Sequence, residues 1–82
     1  MKYFVGGILY SARETDVEKY MKDFGKVVDV AIMREKNSGR SRGFAFVTFE
    51  VNANDSVQCE RLNRIMLEEN RHSIGGRNVE IR

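Results

Sequence analysis

The stretch Arg42-Gly-Phe-Ala-Phe-Val-Thr-Phe-Glu50, RGFAFVTFE, alternates without a break. Successive side chains of an extended chain leave opposite faces, so Ala45, Val47 and Phe49 share one side and Phe44, Phe46 and Thr48 the other. Upstream lies Arg34-Glu-Lys-Asn-Ser-Gly-Arg-Ser41, a polar, glycine-bearing and basic turn. Before it, Val27 to Met33 alternates again, with Val28, Val30 and Ile32 on one face and Asp29, Ala31 and Met33 on the other. The two runs read as neighbouring strands joined by the basic turn.

Working further outward, residues 2–8 read as a strand in which Tyr3 and Val5 oppose Lys2 and Phe4. Ser11-Ala-Arg-Glu14 has capping-box spacing, Ser11 accepting from the backbone and Glu14 reaching back. The helix so opened carries Val17, Tyr20, Met21 and Phe24 as one apolar stripe, and Gly25 supplies a left-handed stop. A second helix is expected from Asn54 or Asp55, carrying Val57, Leu62, Ile65 and Met66 and ending in Glu-Glu-Asn-Arg-His-Ser73. Gly75-Gly76 reads as a turn, and Arg77 to Arg82 as a last strand with Val79 and Ile81 against Asn78, Glu80 and Arg82. The order strand–helix–strand–strand–helix–strand is the split βαβ pattern of the ferredoxin-like α+β class. It predicts a four-stranded antiparallel sheet with both helices on one face and the other face open.

The totals agree with one compact domain over residues 1–82. At 41% hydrophobic and 32% charged the composition is that of a globular domain rather than a disordered chain. No apolar run approaches the ~20 residues that span a bilayer, so no membrane partner is expected. A single cysteine, Cys59, excludes an internal disulfide and suits an intracellular, reducing setting. With one histidine as well, His72, a Cys/His metal site lacks ligands and a nucleophile–histidine pair lacks support. His72 is expected to pack or hydrogen-bond in the loop before the last strand, and Cys59 to be core or half-buried filler in the second helix. The opening Met-Lys-Tyr-Phe-Val-Gly-Gly-Ile-Leu-Tyr-Ser-Ala has the parts of a secretory signal. Its apolar run is short and broken by two glycines, which suits a turn leaving a strand better. Net charge is +2, yet Arg34 to Arg42 alone carries +3, leaving about −1 for the remainder. A local basic patch of this kind suits a polyanionic partner.

Alternation places Phe4, Phe44 and Phe46 together on the open face, flanked by Lys2, Arg42 and Arg82. One exposed phenylalanine is ordinary. Three on neighbouring strands among cations form a surface for stacked bases and phosphates. At this point Arg42 to Phe49, RGFAFVTF, resembles the eight-residue ribonucleoprotein signature of the RNA recognition motif at every position. Tyr3 to Ile8, YFVGGI, resembles the companion six-residue motif, on the expected first strand. The likeness extends over essentially the whole chain. Gly6-Gly7 with Tyr10 further resembles the Musashi and A/B- or D-type heterogeneous nuclear ribonucleoprotein subgroup.

The resemblance implies a single-stranded RNA-binding module with no catalytic residues, no cofactor and no metal. By it, Phe4 and Phe46 each stack one base, Phe44 packs on the sugars between them, and Arg42 holds a phosphate. Lys2, Met33 and Arg82 touch neighbouring bases, and Arg40 joins the basic loop at the phosphates. It also implies short UAG-containing sites, messenger-RNA processing in the nucleus or cytoplasm, and a monomeric domain within a larger multidomain protein. Two departures stand out. The segment from Phe49 to His72 is longer than in that subgroup, which predicts a second helix extended by a turn or two. The chain also reaches Arg82 where relatives continue into residues that add base contacts. Single-stranded DNA binding and a protein-interaction variant of the same fold remain open. A small acylphosphatase-like enzyme would need an arginine–asparagine site on a phosphate-binding loop, which the sequence lacks.

Overall fold

The computed structural model describes residues 1–69 and 71–82. In chain order the elements are β1 (Lys2–Gly6), α1 (Glu14–Met21), β2 (Lys26–Arg34), β3 (Ser41–Glu50), α2 (Ser56–Asn63) continued by a π-helical segment (Arg64–Glu69), β4 (His72–Ile74) and β5 (Arg77–Ile81). The strands form one antiparallel sheet in the order β2-β3-β1-β5-β4. The ferredoxin-like architecture holds, with a fifth strand added. That strand is three residues long and falls where the sequence reads as the fraying end of a helix. Its partner is fixed by Gly75 and Gly76, which join Ile74 to Arg77 with φ of 63° and 81°. Two consecutive positive φ values define the tight hairpin turn whose twist matches that of the strands it joins.

One face of the sheet carries the core. Tyr3, Val5, Ile32, Ala45, Val47 and Phe49 from the strands meet Val17 and Met21 of α1 and Leu62 and Met66 of the second helical stretch. Tyr3 meets Phe49 edge-on, centroids 6.0 Å apart, and its hydroxyl donates to the side-chain carbonyl of Asn63.

Several local expectations are corrected. The α1 cap lies two residues later than the Ser11–Glu14 box, because the Asp16 carboxylate accepts from the Arg13 backbone N–H at 2.9 Å. Glu14 is thereby free to pair with Arg34 at 3.0 Å. Gly25 does not adopt the left-handed region, and α1 has already ended at Met21. A glycine stands there because a Cβ would come within 3.1 Å of the Phe49 ring. Val28 leaves the core face: Val27 pairs with Phe49 and Asp29 with Thr48, so Val28 is an extra residue bulged outward and 53% exposed. Val57 is 63% exposed. The five residues from Val57 to Leu62 turn an α-helix about 140° past a full circle, off the apolar stripe. The longer second helix is realised as the π-helical segment, which carries Met66 into the core.

His72 does pack and hydrogen-bond, but from within β4. It is 3% exposed, with Nδ1 2.7 Å from the Tyr20 hydroxyl and Nε2 3.0 Å from the Ile65 carbonyl. A carbonyl can only accept, so Nε2 carries the proton and Nδ1 accepts from Tyr20. Burial raises the Tyr20 phenol above its usual range, which keeps it protonated as the donor. The ring also meets Tyr20 and Phe24 edge-on. His72 therefore ties α1, the π-helical segment and β4 together. Tyr20→Phe leaves Nδ1 buried without a donor and is expected to cost about 1–3 kcal/mol. Urea unfolding checks this: the midpoint should fall while the slope stays constant, and an unmoved midpoint removes the hydrogen bond from the account.

Candidate nucleic-acid interface

The register of the sheet builds the open face row by row. Asp29, Thr48 and Lys2 make the first row, and Ala31, Phe46 and Phe4 the second. Arg82 completes the second row, exchanging both backbone hydrogen bonds with Phe4 at 2.8 and 2.9 Å. The third row holds Phe44, Gly6 and Glu80. Every side chain in these rows points away from the helices, because its neighbours along each strand are committed to the core.

Phe4, Phe44 and Phe46 form a triangle, with centroids 5.5 Å (Phe4–Phe44), 5.9 Å (Phe4–Phe46) and 6.2 Å (Phe44–Phe46) apart. Each ring has its own cation. Lys2 Nζ lies 5.1 Å from the Phe46 centroid, Arg42 Cζ 5.2 Å from Phe44 and Arg82 Cζ 5.7 Å from Phe4. These distances fall within cation–π range, so the charges are held against the rings before any ligand arrives. Arg82 is held further by Glu80, whose Oε1 accepts from the guanidinium at 2.8 and 2.9 Å. The gap at Gly6 has a steric cause. The Phe4 ring leans over that position, and a Cβ there would sit 2.7 Å from Phe4 Cε2.

Of the eight residues singled out from the sequence, six converge here: Lys2, Phe4, Arg42, Phe44, Phe46 and Arg82. Met33 sits half-buried on β2, opposite an irregularity at which β3 has two extra residues between its pairs with Ile32 and Arg34. Arg40 is apart from the rings. It is exposed and lines a cleft of about 670 Å³ with Tyr10, Ser11, Arg34, Glu35, Gly39 and Ser41. Its backbone carbonyl accepts from the Glu35 N–H at 2.9 Å and closes the turn. Tyr10, absent from the sequence-derived set, is 78% exposed and lies against Gly43 at the margin of the sheet. Gly6 and Glu80 were also missed. Strand alternation alone places both on the aromatic face, so their signal was legible and outweighed by that of the phenylalanines.

Among the described residues no cluster of three or more His, Cys, Asp or Glu side chains could hold a metal ion, and no helix is long and apolar enough to cross a membrane. What the face can do is stack flat rings and hold negative charge at their edges.

Comparison with solved structures gives the same architecture. RNA-binding protein PG1 is 27% identical, with a TM-score of 0.75 over 100% of this chain and 90% of that one. The RNA-binding domain of Hrp1, solved in complex with RNA, is 27% identical with a TM-score of 0.78; the match takes in 99% of this chain and 43% of that one. The second RNA recognition motif domain of yeast poly(U)-binding protein Pub1, at 22% identity and a TM-score of 0.71, shares the fold over 99% of this chain and 89% of its own. The RNA recognition motif profile matches residues 4–79, all but the first three and last three residues, and the chain belongs to that family.

Proposed function

We propose that the domain binds single-stranded RNA across the open face of its sheet. The observation that carries this reading is the triangle of Phe4, Phe44 and Phe46, each ring with a cation against it. Phe4 and Phe46 each take one base, Phe44 packs on the sugars between, and Arg42 holds a phosphate. Lys2, Met33 and Arg82 border the bases, while Arg40 attracts the strand from the turn. Stacking is indifferent to base identity and uses π-faces that a duplex keeps covered, which favours single strands. Family membership and the likeness to Hrp1 in its RNA complex support the reading. Gly6-Gly7 and the exposed Tyr10 favour the Musashi-like subgroup and short UAG-containing sites, with Tyr10 extending the surface at its margin. Preference for RNA over DNA rests on contacts to the 2′-hydroxyl.

The test is fluorescence anisotropy with labelled UAG-containing RNA, a scrambled RNA and the matching DNA. The reading requires saturable binding with RNA preferred, and equal affinity for the DNA turns it into a general single-strand binder. A salt series separates attraction from stacking. A phosphate contact releases counterions and contributes about 0.7 to the slope of log K against log salt on a single strand. Arg42→Ala is expected to lower affinity and slope together, for both RNAs. Arg40→Ala should do the same more weakly, since a fully solvated loop charge is better screened. An unchanged slope for Arg42→Ala assigns that arginine to the support of Phe44 and removes its phosphate role.

A further inference from the structure

The third row of the face pairs a bare position with an acid. Gly6 lies directly across from Glu80, and the Phe4 ring leans over it, so no side chain at position 6 stands between that ring and the neighbouring strand. Arg82 fixes the carboxylate in place. Its Nε and terminal nitrogen both donate to Oε1, at 2.9 and 2.8 Å, while its Cζ stays 5.7 Å from the Phe4 centroid. Oε2 has no hydrogen-bond partner among the described residues. The Glu80 side chain is 63% exposed, so Oε2 faces solvent beside the platform and is open to a ligand. The acid weakens the face's attraction for phosphate, so its place there calls for a contact that rewards an acceptor.

Resting on the RNA-binding reading, we propose that Glu80 selects the base stacked on Phe4, accepting a hydrogen bond from an exocyclic amino group and disfavouring uracil. A base on Phe4 projects its hydrogen-bonding edge over Gly6, where a larger residue would stand in the way. Adenine, cytosine and guanine each present an amino group along that edge, and a carboxylate accepts from it, as acidic side chains accept from cytosine N4. Uracil presents one N–H between two carbonyl oxygens, whose lone pairs face those of the carboxylate. Arg82 yields the ring to the base and remains tied to Oε1, keeping Oε2 aimed. It acts here as the positioning residue and Glu80 as the specificity determinant.

The experiment is selection from a randomised pool of short single-stranded RNA by the wild type, Glu80→Gln and Phe4→Ala. The position that loses its base preference with Phe4→Ala is the one over that ring. There the wild type should disfavour uracil by about tenfold, the size of one well-placed hydrogen bond to a base edge. Glu80→Gln offers a donor as well as an acceptor in the same shape, and should narrow the discrimination to about twofold or less. Both variants change surface residues, and matching thermal unfolding confirms that they fold. Uracil enriched at that position, or an unchanged preference in Glu80→Gln, overturns the proposal while leaving RNA binding intact. A wild type that binds no RNA overturns both. Loss of preference at that position alone supports the assignment.

Discussion

Phe49→Ala is expected to destabilise the domain by about 3–5 kcal/mol, the usual cost of removing a buried phenylalanine from a core that only partly closes over the cavity. Phe49 is 1% exposed and the largest fully buried side chain. It meets Tyr3 edge-on from one side, while Gly25 makes room for its ring on another. Its backbone carbonyl also accepts from the Met1 amino group at 2.8 Å, and its N–H donates to the Met1 carbonyl at 2.7 Å, so the strand end it occupies is anchored. Domains of this size lose ~4–8 °C of Tm per kcal/mol, so the melting temperature should drop by more than about 12 °C. Phe46→Ala, three residues away on the opposite face, is the control and should move Tm far less. Comparable drops for the two variants would mean that the faces of β3 are not divided as described.

The second large effect is on affinity. Phe4→Ala and Phe46→Ala should each weaken RNA binding by about 1–3 kcal/mol, the worth of one base stack. Because their rings touch, the pair should deviate from additivity, as neighbours in contact do. Phe4→Ala also releases Arg82 from its ring, and Phe46→Ala releases Lys2, so part of each loss reflects a cation no longer held in place. Stacking releases few ions, and the salt slope should remain near that of the wild type in both. Titration calorimetry on the folded double variant decides the matter. Wild-type affinity there would take the sheet face out of the mechanism.

How much of this was legible in the sequence depends on how local the deciding physics is. The two faces of β3 were, because alternation from Ala45 to Phe49 repeats over several residues and no turn interrupts it. The convergence of Phe4 with Phe44 and Phe46 followed once both strands were placed side by side. The bulge at Val28 was not legible. It is a mismatch of register between two strands, and each strand taken alone reads as regular. The three-residue β4 lacked the length to show a period, and its existence depends on the Gly75-Gly76 turn folding it back on β5. Gly25 reads as a stop signal in the sequence because glycine commonly is one. Its real constraint is the Phe49 ring, distant in sequence. At the site, alternation puts Gly6 and Glu80 on the aromatic face, where the phenylalanines outweigh them, and the cross-strand register adds that the two stand directly opposite each other.

The outward-turned Val28 has a consequence for the company this sheet keeps. β2 is an outermost strand, and nine residues of it would otherwise offer an unbroken ladder of amide and carbonyl groups to any extended chain nearby. Such a ladder templates strand addition and, between copies, fibre growth. An extra residue at the third of its nine positions throws an incoming chain out of step there, and Lys26, Asp29 and Arg34 set charge along the same border. The opposite border, β4, ends after three residues, too short to seed a partner. A sheet that carries three half-buried phenylalanines on its broad face thus has both flanks guarded against self-recruitment, while that face stays available to a ligand.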